Sequence, residues 1–299
     1  MNMIEVKGVT KKFGKFTALN GIDLEVKKGE VYGFIGPNGA GKSTTIRVLL
    51  GIIQATSGTA TIFGRDAWKD AVEIHRKVAY VPGDVNLWEN LTGGEIIDTF
   101  LKLRGGINKK KRDTLIEKFQ LDPRKKAGTY SKGNRQKIAL IAAFASDADL
   151  FILDEPTSGL DPLMENMFQQ CVEEVKYEGK CVLLSSHILS EVEQLCDRVG
   201  IIRKGEMIES GTLDELRHLT RTNILIETEK SAAVLSDQPG IHQFTEEDGI
   251  YSFQVDPEKL SDVMQKVSEF GVKRIESTPP TLEDLFMRHY QTDSAAEKG

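Results

Sequence analysis

The sequence predicts an α/β fold, with helices on both faces of a parallel sheet, followed by a small α+β domain. Apolar runs of strand length alternate with helical patterns before residue 205, and such alternation is typical of parallel sheets covered by helices. A helix-rich stretch at about residues 91–145 interrupts this alternation, and the pattern restarts after about residue 220. We therefore expect a first domain over 1–220, an accessory domain over 221–291 and a flexible polar tail over 292–299.

The individual elements follow from hydrophobic periodicity and from helix-capping residues. Strands are predicted at residues 4–9, 22–26, 31–35, 59–63, 79–81, 150–153, 181–184 and 199–202. Helices are predicted at residues 43–50, 163–176 and 188–195, and a capping box at Thr212 predicts a short helix to residue 219. The C-terminal domain shows strand patterns at 223–227, 249–255 and 272–275, and helical patterns at 258–270 and 281–290.

Composition and charge argue against several classes of protein. The 299-residue chain has a net charge of −6, so we expect no basic face for nucleic acid. It contains no apolar run near the ~18 residues of a membrane span, and its N-terminus lacks the apolar segment of a signal peptide. We therefore expect a cytoplasmic chain that does not cross a bilayer by itself. Its three cysteines lack Cys-x-x-Cys spacing, which indicates reduced, partly buried thiols rather than a metal site or disulfides.

A phosphate-binding loop carries the clearest chemical signal in the chain. The pattern G-x-x-x-x-G-K-[ST] follows a short apolar strand and precedes a helix, and this context distinguishes it from a chance glycine-rich turn. Its residues are Gly36, Pro37, Asn38, Gly39, Ala40, Gly41, Lys42, Ser43 and Thr44. The glycines let backbone N–H groups converge on an anion. We expect Lys42 to bind the β- and γ-phosphates of a nucleotide and Ser43 to bind Mg²⁺.

Two acids and a histidine follow two further strands of the predicted sheet. Asp154 and Glu155 end the apolar strand at 150–153, and His187 follows the strand at 181–184. Ligands of open α/β sheets bind at the carboxyl ends of the strands, so we expect these side chains to face the phosphate loop. Asp154 would then bind Mg²⁺, Glu155 would orient or deprotonate the attacking water, and His187 would contact the γ-phosphate or that water. Together with Lys42, Glu155 and His187 form the predicted catalytic set for ATP.

Four segments, in this order and spacing, resemble the ATP-binding subunits of ABC transporters. They are the phosphate loop, YSKGNRQ at 130–136, LDEPTSGLD at 153–161, and Ser186-His187. The resemblance covers residues 3–220. It implies a P-loop NTPase fold with a RecA-like core, an N-terminal antiparallel β-layer and a helical subdomain over about 91–145.

The resemblance also implies a head-to-tail dimer, in which each ATP lies between one subunit's phosphate loop and the other subunit's signature segment. In this chain the signature residues are Ser131, Gly133 and Asn134, and Ser131 also suits the N-cap of a helix to residue 145. Asp161 matches the position that communicates between the two sites. Phe13 matches the aromatic residue that stacks on adenine, although a single Phe near an N-terminus is more often part of the core.

Two segments depart from the family pattern. The family signature is Ser-Gly-Gly-Gln, whereas this chain has Lys132 and Asn134 at its second and fourth positions. Gly83 stands where the family usually has a Gln that binds Mg²⁺ and senses the membrane partner. Asp84 would offer an alternative oxygen to the metal, but Pro82-Gly83-Asp84 also fits a type II turn, and we favour the turn.

The C-terminal segment at 277–286 resembles the tail of ATPase subunits from ABC-2-type exporters of drugs, antibiotics and lantibiotics. The resemblance implies an ATP- and Mg²⁺-dependent motor at the inner face of the cell membrane, with a separate transmembrane permease and an identical or different second ATP-binding subunit. Two alternatives remain open. One is a nucleotide-gated switch with weak ATPase activity, which the altered signature and Gly83 motivate. The other is a non-transport ABC ATPase, against which the single cassette and the net acidity argue. The sequence does not identify the transported substrate.

Overall fold

A computed structural model describes residues 2–218, 221–278 and 281–283 of the chain, which forms two units, Met1–Ser210 and Gly211–Gly299. The strands are β1 (Asn2–Phe13), β2 (Phe16–Lys27), β3 (Val31–Ile35), β4 (Ser57–Ile62), β5 (Arg65–Asp66), β6 (Val78–Val81), β7 (Leu150–Asp154), β8 (Cys181–Ser186), β9 (Arg198–Arg203), β10 (Glu206–Thr212), β11 (Thr222–Thr228), β12 (Ile241–Glu247), β13 (Ile250–Val255) and β14 (Val272–Thr278). The α-helices are α1 (Lys42–Leu49), α2 (Ala71–His75), α3 (Gly93–Leu103), α4 (Lys109–Lys118), α5 (Lys132–Phe144), α6 (Pro162–Tyr177), α7 (Leu189–Leu195), α8 (Leu213–His218) and α9 (Leu260–Ser268).

A six-stranded sheet in the order β10-β9-β3-β8-β7-β6 lies at the centre of the first unit. β3 pairs in parallel with β8 and β9, and β7 pairs in parallel with β6 and β8, which confirms the α/β class expected from the alternation. Successive side chains of β7 point to opposite faces of the sheet. Ile152 joins the core cluster that contains Ile46 of α1, whereas Phe151 stacks on Phe144 of α5 with ring centroids 5.6 Å apart.

A second, antiparallel sheet in the order β2-β1-β4-β5 forms the N-terminal β-layer that the resemblance implies. β1 and β2 pair from Asn2↔Lys27 to Phe13↔Phe16, so the hairpin is longer than the strands expected at 4–9 and 22–26. Backbone hydrogen bonds continue the pairing through polar residues, because every residue carries the same backbone donor and acceptor groups. Apolar side chains of this layer pack in the same cluster as Phe34 of β3.

Helices α3, α4 and α5 occupy the segment that the sequence predicts to be a helical subdomain. Each begins at a side-chain cap: Thr92 caps α3 in a capping box, Asn108 caps α4, and Ser131 caps α5. These caps satisfy N–H groups that have no partner inside the helix. The helix predicted from Ser131 to residue 145 is confirmed, with Ala145 as its C-cap.

The second unit contains an antiparallel sheet in the order β12-β13-β11-β14. Val263 and Val267 of α9 pack in a core cluster with Phe253 and other apolar residues of the sheet. The capping box at Thr212 is present, since the Glu215 N–H donates to the Thr212 hydroxyl and the Thr212 N–H donates to the Glu215 carboxylate, at 3.2 and 2.7 Å. It starts α8 as predicted.

Some expectations differ from the structure or fall outside its described part. The division between the units falls after Ser210 rather than at residue 220, because α8 groups with the second unit. Strand β12 had no counterpart in the predicted elements. Residue 219, residues 284–290 of the helix predicted at 281–290, and the tail at 292–299 lie outside the described residues. The three cysteines are free and buried, as predicted.

Candidate functional site

The phosphate-loop motif forms the connection between β3 and α1. Gly41, the N-cap of α1, has φ +119°, a conformation that side chains with a Cβ rarely adopt. A Cβ on Gly36 would lie 2.3 Å from the carbonyl oxygen of Ile202, so this position requires glycine for close backbone packing. Ser43 and Thr44 lie in the first turn of α1, where the helix has N–H groups without intrahelical partners. The predicted loop is therefore built as an anion cradle at a helix N-terminus.

Lys42 projects back over this loop and is buried, with 6% of its side chain exposed. Its Nζ donates a hydrogen bond to the Gly36 carbonyl oxygen at 2.5 Å. The same atom lies 3.3 Å from Oε1 of Glu155. A buried ammonium group requires charged or polar partners, and here it joins the phosphate loop to the acid that follows β7.

The parallel register of β3, β8 and β7 brings the predicted acids and histidine to one edge of the sheet. Ile35 of β3 pairs with Ser186, and Ser185 pairs with Asp154. Asp154 is 5% exposed, and its Oδ1 accepts a hydrogen bond from the Ser185 hydroxyl. Ser185 was not among the predicted site residues, although its place at the end of an apolar strand was a usable signal. The carboxyl ends of the three strands thus meet as the sequence predicts.

Glu155 occupies the centre of this group. Its Oε2 lies 2.6 Å from Nδ1 of His187, and its N–H donates to the Ser185 carbonyl oxygen at 3.0 Å. Oε1 is buried and makes no hydrogen bond of ordinary geometry within the described residues, so its only close partner there is the Lys42 ammonium. Glu155 has φ +49°, which is unusual for a residue with a side chain. The structure therefore brings Lys42, Glu155 and His187 into one connected group.

The signature segment begins α5 and packs against the loop that follows the acid pair in the same chain. Ser131 accepts a hydrogen bond from the Asn134 N–H at 3.3 Å. Lys132 Nζ donates to the Ser158 hydroxyl at 2.7 Å. A Cβ on Gly133 would lie 2.3 Å from the carbonyl oxygen of Gly159. Within the chain, glycine at 133 is thus required by this close approach, whereas the sequence suggested an approach to phosphate.

Asp161 and Phe13 have local structural settings that the sequence did not specify. Asp161 is the N-cap of α6 and accepts from the Met164 N–H at 3.0 Å. Phe13 lies at the tip of the β1–β2 hairpin and is 50% exposed, with Lys11 Nζ 4.9 Å from its ring centroid. Exposure contradicts a core role for Phe13. Phe16, 66% exposed and paired with Phe13 across the turn, was missed by the sequence analysis.

The segment after β6 lies directly against the acid pair. A Cβ on Gly83 would be 3.2 Å from the Asp154 carbonyl oxygen and 3.5 Å from the Glu155 Cβ. The expected type II turn is wrong, because Gly83 lacks the positive φ that its third position requires. Gly83 instead packs against the backbone of Asp154. Asp84 is exposed. Among the described residues, neither Asp84 nor Phe13 forms a hydrogen bond or ion pair with Lys42, Glu155 or His187.

The arrangement of the phosphate loop and the acids fits a nucleoside triphosphate with one divalent metal ion. The described residues contain no group of three or more His, Cys, Asp or Glu side chains that could hold a metal alone. Mg²⁺ is commonly bound by one or two carboxylates together with substrate phosphates. Asp154, near-fully buried at the sheet edge, and Ser43 at the start of α1 supply suitable oxygen atoms for such a shared shell.

Comparison with known proteins identifies the family. The family model described as "ABC transporter" matches residues 19–158, and the model "ATP-binding protein DrrA1-3-like, C-terminal domain" matches residues 211–290. The chain is 32% identical to the bacitracin transport ATP-binding protein BcrA of Enterococcus faecalis, over 96% of both chains. The chain belongs to the ATP-binding subunits of ABC transporters. The daunorubicin/doxorubicin resistance ATP-binding protein DrrA of Streptomyces peucetius is 37% identical, over 74% of this chain and 69% of that protein.

Solved ABC cassettes share this fold. An ATP-binding subunit of an ABC transporter superposes with a TM-score of 0.68 at 32% identity, covering 73% of this chain and 92% of that one. The cassette MJ0796, in a dimeric post-hydrolysis state with ADP and Pi, has a TM-score of 0.65 at 25% identity and covers 71% of this chain and 99% of its own.

Membership of the ABC family defines the activity at the level of the family. ABC ATP-binding subunits bind and hydrolyse ATP, dimerise, and work with a transmembrane permease. The chain is an ATPase motor subunit of an ABC exporter. No helix among the described residues is both long enough and apolar enough to span a membrane.

Proposed function

We propose that this ABC subunit hydrolyses ATP at the edge where β3, β7 and β8 end, and that Glu155 is the general base. The observation that carries the proposal is the position of Glu155, with Oε2 2.6 Å from His187 and Oε1 3.3 Å from Lys42. When ATP binds, Lys42 exchanges this carboxylate for the β- and γ-phosphates. Glu155 is then released toward the attacking water, and His187 holds the acid or contacts the γ-phosphate.

The remaining loop residues bind the triphosphate and its metal ion. Backbone N–H groups of residues 38–44 surround the phosphates, as helix N-termini and glycine-rich loops do for anions. Mg²⁺ held by Ser43 and Asp154 would neutralise charge that develops on the phosphate oxygens. Phe13 stacks on the adenine ring. Its exposure at the hairpin tip supports this contact, because no core packing accounts for it.

We further propose a head-to-tail dimer that closes over two ATP molecules. Ser131 and Lys132 are exposed at the start of α5, so they are available to a γ-phosphate bound by a second subunit. The Ser131 hydroxyl already accepts from the Asn134 N–H and retains its own proton for donation to that phosphate. Asp161 lies at the start of α6, after the same loop, and links the two sites.

The transmembrane partner docks on an apolar groove between the sheet and the helical subdomain. A cavity of ≈ 350 Å³ is lined by side chains that include Tyr80, Pro82 and Phe100. Its lining continues to the catalytic group, because Gly83, next to Pro82, packs against Asp154 and Glu155. A cytoplasmic segment of the permease bound in this groove would lie close to Asp154 and Glu155 and could respond to changes there. At the inner face of the membrane, the complex would export a drug- or antibiotic-like molecule, in line with the names of its relatives.

The groove is tested by charge substitutions on its exposed apolar residues. Ile52 lines the cavity and is 55% exposed. Trp88 is 53% exposed and borders the cavity, with its ring centroid 5.8 Å from that of the lining residue Phe100. Ile52→Asp and Trp88→Asp should lower the membrane-bound fraction of the protein in its host, while the purified variants keep their basal ATPase rate. Tyr177→Asp is the control, because Tyr177 is 95% exposed and does not line the groove. Unchanged membrane association of both groove variants would contradict this docking site.

The catalytic assignment is tested with Glu155→Gln and Lys42→Ala. Glu155→Gln should lower steady-state turnover by about 10² or more, the range of general-base effects, and should accumulate ATP-bound dimers in size-exclusion chromatography. Lys42→Ala should abolish nucleotide binding or hydrolysis. Glu173→Gln, on the exposed face of α6, controls for loss of an acidic charge. Turnover of Glu155→Gln at the parent rate would show that Glu155 is not the base. Negligible turnover of the parent with its permease would favour a nucleotide-gated switch.

A further inference from the structure

A buried carboxyl group lies behind the pair formed by His187 and Glu155. Glu191, in α7, is 6% exposed. Its Oε2 accepts a hydrogen bond from the Ser186 hydroxyl at 3.1 Å. The same hydroxyl oxygen accepts from the Ile188 N–H at 2.9 Å. The residues on both sides of His187 are therefore attached, through one hydroxyl group, to Glu191.

Burial also affects the ionisation of Glu191. Burial raises the pKa of the Glu191 carboxyl group, and hydrogen bonding with the Thr157 and Ser186 side chains opposes that rise. Thr157 is itself 6% exposed and lies two residues after Glu155. The anchor of the Glu191 carboxyl group is the Ser186 hydroxyl at the end of β8.

The buried environment of the Glu191 carboxyl group does not by itself stabilise the folded protein. Its Oε1 is buried and has no hydrogen-bond partner of ordinary geometry within the part of the chain that the structure describes. A buried polar atom without a partner costs free energy that an apolar side chain would avoid. The neighbouring inward positions of α7 are occupied by apolar Val192 and Leu195. Packing alone would favour an aliphatic residue at position 191. A role in the ATPase site explains why a carboxyl group is present there.

We propose that Glu191 is a positioning residue of the ATPase reaction. Through Ser186 it holds His187 in place, and the 2.6 Å contact of His187 with Glu155 passes that position on to the general base at the attacking water. Misplacement of reacting groups by about 1 Å can cost about 10² in rate, so an anchor behind the His187 loop affects turnover. The inference rests on the roles proposed above for Glu155 and His187.

The test compares Glu191→Ala, Glu191→Gln and Ser186→Ala with Glu193→Gln, a change of acid to amide on the same helix. Glu191→Ala should lower kcat by about tenfold or more, while the Kd of a fluorescent ATP analogue changes by less than about threefold, because binding and chemistry separate in this way when positioning is lost. Glu191→Gln retains a carbonyl acceptor for the Ser186 hydroxyl and should recover most of kcat. Glu193→Gln should match the parent.

A double-mutant cycle distinguishes positioning from general loss of structure. If Glu191 acts through His187, adding Glu191→Ala to His187→Ala should change kcat by less than about twofold, since coupled residues are not additive. Multiplicative effects, or a kcat of Glu191→Ala within about twofold of the parent, would overturn the proposal. If Glu191→Ala does not fold, Ser186→Ala replaces it in the same cycle with the same criteria.

Failure of the catalytic roles proposed for Glu155 and His187 is distinguishable from failure of the positioning role proposed for Glu191. Parent-like turnover of both Glu155→Gln and His187→Ala would remove the proposed catalytic roles and, with them, the role of Glu191. Loss of turnover in those two variants, together with parent-like Glu191→Ala, would overturn the Glu191 proposal alone.

Discussion

The left-handed backbone of Glu155 leads to a prediction about stability that is independent of the chemistry. Glu155→Ala and Glu155→Gly remove the same carboxylate and the same contacts with Lys42 and His187. They differ because φ is +49° at this position. A Cβ in the left-handed region costs about 1–2 kcal/mol, and the greater freedom of glycine in the unfolded chain offsets about 0.5–1 kcal/mol of that difference. Glu155→Gly should therefore be the more stable variant by about 0.75 kcal/mol, the difference between the midpoints of these two ranges.

Urea or thermal unfolding followed by tryptophan fluorescence measures this difference. Both tryptophans, Trp68 and Trp88, lie in the first unit with Glu155, so the signal reports the relevant part of the chain. The expected difference corresponds to a higher Tm of Glu155→Gly by about 1–4 °C for a unit of this size. Glu173, inside helix α6, is the matched control with the opposite sign, because glycine in a helix interior is less stable than alanine by about 1 kcal/mol. If Glu155→Ala equals or exceeds Glu155→Gly in stability, the backbone argument is refuted.

Two further predictions concern the nucleotide contact and the second unit. Phe13→Ala should raise the Kd for ATP about fivefold or more, since stacking of a base on an aromatic ring contributes ~1–3 kcal/mol. Phe16→Ala is the control and should have little effect. Equal affinities of the parent and Phe13→Ala in titration calorimetry would exclude the stacking. Burial raises the pKa of Asp256, but hydrogen bonds from His242 and Arg221 outweigh this and leave the pKa below its ordinary value. Its contribution to stability is therefore present above the unfolded-state pKa and is lost as the pH falls through the folded-state pKa. Scanning calorimetry should show that Asp256→Asn loses less stability than the parent between neutral pH and about pH 3, and an identical loss would contradict the assignment.

The conformation of the phosphate loop was predictable because its requirements are local. A turn with positive φ, a close backbone approach at Gly36 and an ammonium group at Lys42 all lie within a few residues of one another. The helix caps at Ser131 and Thr212 were predictable for the same reason, since a capping side chain bonds to an N–H two or three residues away. Such features depend little on the rest of the chain.

Errors arose where long-range packing outweighed the local pattern. The turn at Pro82-Gly83 is locally favourable, yet this segment instead packs against the backbone of Asp154. Strand β12 was missed because its alternation is broken: Gln243 has φ +50°, and the register with β13 shifts between His242 and Thr245. A bulge of this kind moves side chains to the opposite face and removes the period-2 signal.

The amino-acid sequence by itself predicted a phosphate-binding loop between a strand and a helix, and two acids and a histidine at the ends of neighbouring strands. Only the tertiary structure decided which oxygen of Glu155 meets Lys42 and which meets His187, and that Glu191 lies behind them. The physical reason is that a strand's sequence specifies its own face and length, whereas the register between β3, β8 and β7 is set by the packing of the whole sheet. The distances between residues far apart in the chain follow from that register.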